Sequence, residues 1–528
     1  MVMSDRVLIV GGGSVGLAAA VFLTRHGVTP LVLEQQPGVS VHPRATGLGP
    51  RTMEFLRQAG LDRAVDNVAV DMSAGGAVKM SMHTLASANL SAAAPGAIVG
   101  NAWGQADPGP ARVRGVCPQH RLDSVLLPAA REGGARVRFS ARVRECAIES
   151  GGVTVTLDTG ETLAADYLIA ADGVRSTVRE HLGIGVSGPG ALGEPTVSIL
   201  FRADLTAYTG GRHFVNCTIT NPDAPGLLVT VDGEQEWIFH TRSGDISSVT
   251  EHFTDERCRE LIRAAVGDSA LPVEIVSVLP WRPRGTLADR FGLERVFLVG
   301  DAAHTVPPIG AFGLNTGMAD AHNLAWKLAA VLRGDAGPAL LDTYETERRP
   351  VAEMTLAQAM IRLADPTLHW DAHAAERRAA AGALHAPVVH LGYRYDSAAV
   401  IDPQPDLPST EDVFADLDGT PGSRLPHHRL PGGASTLDLI GTHCTVIAGN
   451  HRWIAAASDV ADRLGIRIDA HVIPLSDNDI RPWADTVGIE PDGALLVRPD
   501  QIIAARIPTA PPAPAHLLHR MLTRILAR

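Results

Sequence analysis

The sequence predicts an α/β protein: a Rossmann-like domain split by an inserted mixed β-sheet and followed by a smaller C-terminal unit. Three observations predict it. A glycine-rich turn joins a short apolar run to an alanine-rich one near the start. Strand-like runs broken by Gly, Pro and Asp fill residues 186–285. A segment rich in Pro, Asp and Gly at 404–424 precedes a fresh alternation of strand and helix signals. The expected boundaries are 1–185 and 286–403 for the two parts of the first domain, 186–285 for the insert, 404–424 for a linker and 425–528 for the last unit.

The totals agree with that division. At 528 residues the chain exceeds one ordinary core, and about three domains are expected. Its 45% hydrophobic and 20% charged residues are those of a globular protein, and a net charge of −12 argues against a nucleic-acid binder. No apolar stretch reaches the ~18 residues that span a bilayer. The opening MVMSDRVLIVGGG runs straight into glycines without a cleavage-site pattern, so mature sequence is expected from the outset. Five cysteines, odd in number and without a CxxC pair, point to a reducing cytoplasm and away from a disulfide framework or a metal site.

The first element is RVLIV, apolar throughout like a parallel strand buried on both faces. Gly11, Gly13 and Gly16 supply GxGxxG, helix formers run from Ser14 to His26, and Gly27 ends the helix. LVLE is the second strand, finishing at Glu34. Each part has a task. Gly11 permits the tight turn, Gly13 lets backbone approach a pyrophosphate at the helix N-terminus, and Gly16 lets helix pack on strand. Glu34 accepts hydrogen bonds from a ribose. An ADP-containing dinucleotide is therefore expected, although a nicotinamide dehydrogenase and a flavoprotein share this unit.

Two later turns follow buried strands. YLIAA leads to Asp172-Gly173 and then to Arg175, Ser176 and Arg179. RVFLVGD delivers Asp301 to the carboxyl end of a strand, where open α/β sheets bind ligands. Pro307 and Pro308 then stiffen the chain, and Gly310 to Gly313 loosen it before a helix expected to begin near Leu314 to Thr316. Asp301 suits the hydroxyls of a ribityl chain, and the prolines suit a flat ring. Free N–H groups at Gly313, Leu314 and Asn315 suit the negative edge of a reduced flavin.

Together the GxGxxG, DG and GD stretches resemble the class A flavin-dependent aromatic hydroxylases with the p-hydroxybenzoate hydroxylase fold. VHPRATGLGPRTMEFLRQAGL, CPQHRLDSVLLPAA and DTYETERRPVA resemble the phenol hydroxylase-like branch that modifies aromatic polyketides, aklavinone hydroxylases among them. The resemblance implies FAD as cofactor, NADPH (or NADH) as transient reductant and O2 as co-substrate. It also implies a C4a-hydroperoxyflavin that hydroxylates a polycyclic phenol. Arg44, Gln119 and Asp301 are then expected at FAD, Glu34 at its ribose, and Val143 at adenine through backbone. Ser14, Val15, Gln35, Asp172 and Pro308 complete the expected contacts, together with the glycines and helix-start residues above. Ala311 stands where many members have glycine. The last unit resembles a thioredoxin-like domain, but with Cys444 alone it is expected to have no redox role.

Other readings stay open at this stage. A Baeyer–Villiger or epoxidising enzyme uses the same scaffold, a simple phenol hydroxylase shares its motifs, and a dehydrogenase or a binding module accounts for the first motif. Trp103 and Trp281 are candidates for stacking on a flat substrate or for plain packing. Segment 83–113 is a candidate lining, and His213, His240 and His304 are candidate proton acceptors. The partner expected is a small aromatic or polycyclic molecule, with neither nucleic acid nor membrane, and the chain is expected as a monomer or homodimer.

Overall fold

The structure, a computed structural model, describes residues 5–71, 79–87, 109–111, 113, 115–210, 214–243, 252–371, 373–473 and 479–528. Its central sheet is built on parallel neighbours. Leu31–Leu33, Asp5–Val10, Thr162–Ala170 and Val296–Leu298 lie side by side, with Arg136–Arg138 outside the first of them. The hairpin Val143–Glu149 and Gly152–Leu157 folds back onto Thr162–Ala170. Val7, Leu8, Ile9, Leu168, Ile169 and Leu298 are at most 1% exposed, which is why these strands read as unbroken apolar runs. The helix Ser14–Arg25 is buried along most of its length, and Ala18, Ala19 and Ala20 keep it slim between the sheet and the long helix Phe312–Arg333. His26 caps it and Gly27 takes the left-handed φ of +81° that the sequence foretold.

The insert is a six-stranded sheet in the order 274–281, 196–202, 236–242, 226–230, 216–219 and 79–82. Its last strand comes from before the expected boundary, because Lys79–Met82 pairs in parallel with Asn216–Ile219. One face carries Val197, Ile199, Phe201, Cys217 and Phe239 and packs on the helix Asp255–Val266, which no part of the sequence reading anticipated. That helix announces itself by Thr254 at its cap, whose hydroxyl accepts from the Arg257 N–H, and by acids in its first turn. The other face turns toward the first domain: Ser277 on it lies 2.7 Å from Nδ1 of His42.

The C-terminal sheet runs Asp469–Val472, Thr445–Ala448, Ala494–Val497, Ile503–Ile507, with the first pair parallel and the others antiparallel. Helices Arg452–Leu464, Arg481–Val487 and Pro514–Ile525 accompany it. Before them Thr436–Leu439 forms a short helical turn held by a Ser435–Asp438 capping box.

Segment 404–424 is no loose linker. Asp416, Thr420, Ser423 and Arg424 are buried, and Arg424 forks onto Glu54 of the first domain. A second fully buried cluster joins Glu347 to Lys327 at 2.8 Å and to Arg498 at 2.5 Å, while Arg498 also holds Asp500. Charges taken from water this completely must be paired, and losing one partner of such a set costs about 3–5 kcal/mol. The last unit is thereby locked to the first, and the Pro, Gly and Asp content that suggests a linker serves tight turns inside the seam.

Candidate active site

The glycine turn is shaped by what its neighbours leave room for. A Cβ at Gly11, whose φ is +105°, would stand 2.3 Å from the Ala171 carbonyl oxygen, and one at Gly16 would stand 2.0 Å from that of Gly11. A Cβ at Gly13 would meet nothing within 4 Å. The first two glycines therefore allow packing, and the third borders open space in front of a helix N-terminus. Ser14 and Val15 turn their side chains inward. The Ser14 hydroxyl donates to Asp123, whose carboxyl is pushed up to about 6 by burial, against the pull of Ser14 and Arg44. Val15 fills the space over Gly317, where a Cβ would lie 2.8 Å from its methyl. Glu34 accepts the Gly12 N–H at 2.6 Å through Oε2 and the Gln36 N–H at 2.8 Å through Oε1, so it also shapes the turn it follows. Gln35 beside it is exposed.

The other two turns meet the first from across the sheet. Asp172 accepts the Val178 N–H at 3.1 Å with Oδ2, while its buried Oδ1 has no partner; burial raises its carboxyl against those hydrogen bonds. Arg179 reaches over to the Ala302 carbonyl. Asp301 stands on a short helical turn, Gly300–Ala302, three residues beyond Leu298, where the strand ends. Its side chain is open to solvent yet ringed by protein, the mark of a cleft, and desolvation raises its carboxyl against the opposing charges of His304 and Arg44. Arg44 is exposed on a loop pinned by backbone bonds of 2.8 Å from Gln119 to Ala45 and from Cys117 to Thr46. Val143 is buried at the start of its strand, and Pro308 is exposed beside a buried Pro307.

The long helix begins at Phe312, two residues before the expected start, behind Ala311 in a left-handed conformation with φ of 55°. The N–H groups of Phe312, Gly313 and Leu314 have no intrahelical acceptor, whereas that of Asn315 is already one turn in. The Asn315 side chain has a different task. Its Oδ1 accepts from Gly49 N at 2.8 Å and Thr52 Oγ1 at 2.6 Å, and its Nδ2 donates to Ala311 O at 2.6 Å and Gly47 O at 3.1 Å. It braces the loop 47–52 against the helix start.

Of the candidate proton acceptors, His304 is excluded by position. It is 1% exposed and pairs through Nε2 with Asp320 at 2.7 Å, and Asp320 in turn holds Arg348 and the Gly300 N–H. This cluster supports the Gly-Asp turn from behind. His240 lies on the face of the insert turned toward the first domain, with Nδ1 2.7 Å from Ser198 Oγ, which also accepts from Trp281 Nε1 at 2.7 Å. Trp281 therefore spends its polar edge inside the sheet. Trp103 and His213 lie outside the described residues, as does most of the candidate lining 83–113.

An open carboxylate at Asp301, an orphaned Asp172 oxygen and open space at Gly13 follow three neighbouring parallel strands of the sheet, and unpaired N–H groups at a helix start come soon after Asp301. Together they fit a long dinucleotide. Residues 5–359 match the FAD binding domain family, and residues 418–528 match the C-terminal family of aromatic-ring hydroxylases. The chain belongs to the FAD-dependent aromatic-ring hydroxylases. This hydroxylase is 41% identical to the tetracenomycin A2 monooxygenase-dioxygenase of Streptomyces glaucescens, over 99% of its own chain and 97% of that one. It is 36% identical to an aklavinone 12-hydroxylase of Streptomyces purpurascens, over 99% of each. Among solved structures it matches the ternary complex of aklavinone-11 hydroxylase with FAD and aklavinone, with a TM-score of 0.84 and 34% identity over 100% of both chains.

The hydroxylase is thus an FAD-dependent monooxygenase that uses NAD(P)H and O2. No helix among its described residues is long and apolar enough to cross a membrane, and no described group of three acidic, His or Cys side chains could hold a metal. Sequence reading missed Arg179 as a clamp, Asn315 as a brace, and Ser198, Ser277 and Asn216 on the insert. The first two had a signal, an Arg and an Asn placed just inside helix starts. The others lie on alternating strands, where polar residues ordinarily face solvent.

Proposed function

We propose that this hydroxylase inserts oxygen into an electron-rich ring of a polycyclic phenol of the aromatic-polyketide kind. The observation that carries this reading is the polar and aromatic set Ser198, His240 and Trp281 on the face of the insert that meets the first domain at His42 and Ser277. Relatives whose names specify aklavinone and tetracenomycins support the substrate class.

In this reading the amides of residues 13–16 hold the pyrophosphate at the positive helix end, and Glu34 holds the adenosine ribose with its remaining lone pairs. Gln35 and the backbone of Val143 border the adenine side. Asp301 accepts from the ribityl hydroxyls, with Arg44 and Gln119 closing over them. Pro308 walls the flat ring, and the N–H groups at Phe312 to Leu314 face its electron-rich edge, with Asn315 holding them in place. The turn at Asp172 meets the visiting nicotinamide nucleotide. When bound, FAD passes two electrons from NAD(P)H to O2, so that one oxygen atom enters the ring and the other leaves as water. The protein's part is to hold the ring still and keep bulk water out. The C-terminal unit serves as a thioredoxin-like structural domain without thiol chemistry: Cys444 is buried and its thiol is pushed up to about 12 by that burial. The enzyme works as a monomer or homodimer in the cytoplasm.

The test is NADPH oxidation with a panel of polycyclic phenols under 18O2, with mass spectrometry of products. One added 18O on an aromatic carbon is expected. Since two relatives are named monooxygenase-dioxygenases, the number of oxygens gained is read in the same spectrum. An oxygen inserted into a ring bond identifies the Baeyer–Villiger reaction instead. Stimulation by single-ring phenols alone would overturn the polycyclic reading.

A further inference from the structure

On the face of the insert turned toward the first domain, Trp281, Ser198 and His240 form a chain of hydrogen bonds that flavin chemistry does not require. An indole N–H only donates, so Ser198 Oγ accepts from Trp281. Ser198 is 3% exposed, and among the described residues its hydroxyl hydrogen has one acceptor in reach, His240 Nδ1 at 2.7 Å. If His240 donated through Nδ1 instead, that hydrogen would be buried without a partner, a costly arrangement. The chain therefore makes Nδ1 the acceptor and leaves the ring proton on Nε2. Burial, with His42 nearby, keeps the ring neutral by lowering its pKa to about 4. Nε2 has no partner among the described residues and is not fully enclosed by protein.

A complementary group lies further along the same face. His240 pairs in register with Leu227, and Asn216 pairs with Val229. Register partners share a face and residues two apart return to it. His240, Leu227, Val229 and Asn216 are therefore on one side, opposite Cys217, Leu228 and Phe239, which pack on the helix. Oδ1 of Asn216 is buried and has no partner. Two strand spacings separate the strands of His240 and Asn216, roughly 10 Å, with apolar Leu227 and Val229 between them. That is the span of several fused rings, not of one.

We infer that His240 donates from Nε2 to a carbonyl oxygen of a fused polycyclic substrate, while Asn216 accepts from a hydroxyl toward its other end. The inference rests on the polycyclic reading above and adds the oxygen types the substrate must carry. It makes His240 a substrate-orienting donor and removes it from the candidate bases, since a proton-bearing Nε2 has no lone pair to offer.

Two measurements on the FAD-loaded enzyme test it. In 15N-histidine-labelled protein, the His240 signals, assigned by their loss in His240→Gln, should show a protonated Nε2 and a bare Nδ1. A proton on Nδ1 overturns the inference whatever the enzyme oxidises. Calorimetric binding of 1,8-dihydroxyanthraquinone is then compared with 1,8-dihydroxyanthracene, which keeps the phenols and lacks the carbonyls. The quinone should bind about tenfold more tightly. His240→Leu should abolish that preference, His240→Gln should keep part of it, and Asn216→Leu should weaken both probes alike. A preference that survives His240→Leu, or binding of neither probe, overturns it. The 18O2 assay judges the hydroxylase reading separately.

Discussion

Arg179 donates through Nη1 to the backbone carbonyl of Ala302 at 2.9 Å and through Nη2 to that of Val174 at 3.2 Å. One guanidinium thus clamps the Asp-Gly turn to the Gly-Asp turn from a helix that Ser176 caps. Hydrogen bonds from a charged donor are worth about 1.5–3 kcal/mol each. Arg179→Met keeps the stem and removes the fork. It should lower the melting temperature of the apoprotein and weaken FAD binding roughly tenfold, read by flavin fluorescence titration. Unchanged affinity would mean that the clamp does not shape the cofactor cleft.

Asp301 makes no hydrogen bond to a described residue although it stands in a cleft of opposing charges. An acceptor left free in this way is built for a ligand. Asp301→Ala should weaken FAD retention about 10- to 100-fold, because a charge-assisted pair of about 1.5–3 kcal/mol is lost. Asp301→Asn should fall between. Reconstitution of the deflavinated variants with measured FAD checks this, and equal retention by Asp301→Ala would remove that residue from the cofactor set.

The parts legible in the sequence were those whose chemistry is local. The spacing of Gly11, Gly13 and Gly16 announces a turn because Gly11 takes a positive φ and a Cβ at Gly16 would strike the Gly11 carbonyl five residues back, and RVLIV announces a strand because both its faces are covered. Asp301 was legible as a carboxylate at a strand end, though not as a residue on a helical turn. The parts that escaped depend on chain segments brought together from afar. The Lys79–Met82 strand, KMSM, alternates polar and apolar over only four residues, too short a run to announce itself, and is fixed by pairing with Asn216–Ile219. The seam at 404–424 reads as a linker because turn residues look alike whether solvated or buried, and distant partners such as Glu54 opposite Arg424 and Ile503 opposite Gly422 reveal the difference. His304 looked available for chemistry because nothing nearby in sequence shows that Asp320 lies against it.

Ala311 holds a backbone conformation suited to glycine, with its methyl directed at Gly47: a Cβ built there would lie 2.8 Å from that of Ala311. The left-handed region costs an L-residue about 1–2 kcal/mol, so Ala311→Gly should stabilise the protein by about 0.5–1 kcal/mol after the entropy that glycine restores to the unfolded chain. Gly47→Ala should destabilise it, and the double variant should recover most of that loss. Chemical denaturation of the four proteins gives the coupling, and additive effects would place the two methyls out of contact.

His26 and His42, each 7% exposed, set a pH dependence of stability. Burial, aided by Arg25 and Arg333, lowers His26 to about 3; burial, aided by Arg44 and His120, lowers His42 to about 4. Both folded values lie below the ordinary 6.5 of an unfolded chain. Between them the unfolded state binds protons that the folded state refuses, so the stability present above pH ~6.5 is lost as the pH falls toward 4, at up to about 1.4 kcal/mol per unit per group. Asp123 acts in the opposite sense. Its carboxyl is raised to about 6, so it favours the folded state in acid and loses that contribution as the pH rises through 6. His240 and His390, lowered by burial to about 4, act with the two histidines, and Asp416, raised by burial to about 6, acts with Asp123; four histidines outweigh two acids, and the net slope between pH 6.5 and 5 should be downward on acidification. Denaturant melts at pH 7, 6 and 5 measure it. His26→Gln should flatten the slope by one group's worth, whereas Asp123→Asn should steepen it; a slope indifferent to both variants would mean that neither group holds its shifted titration in the fold.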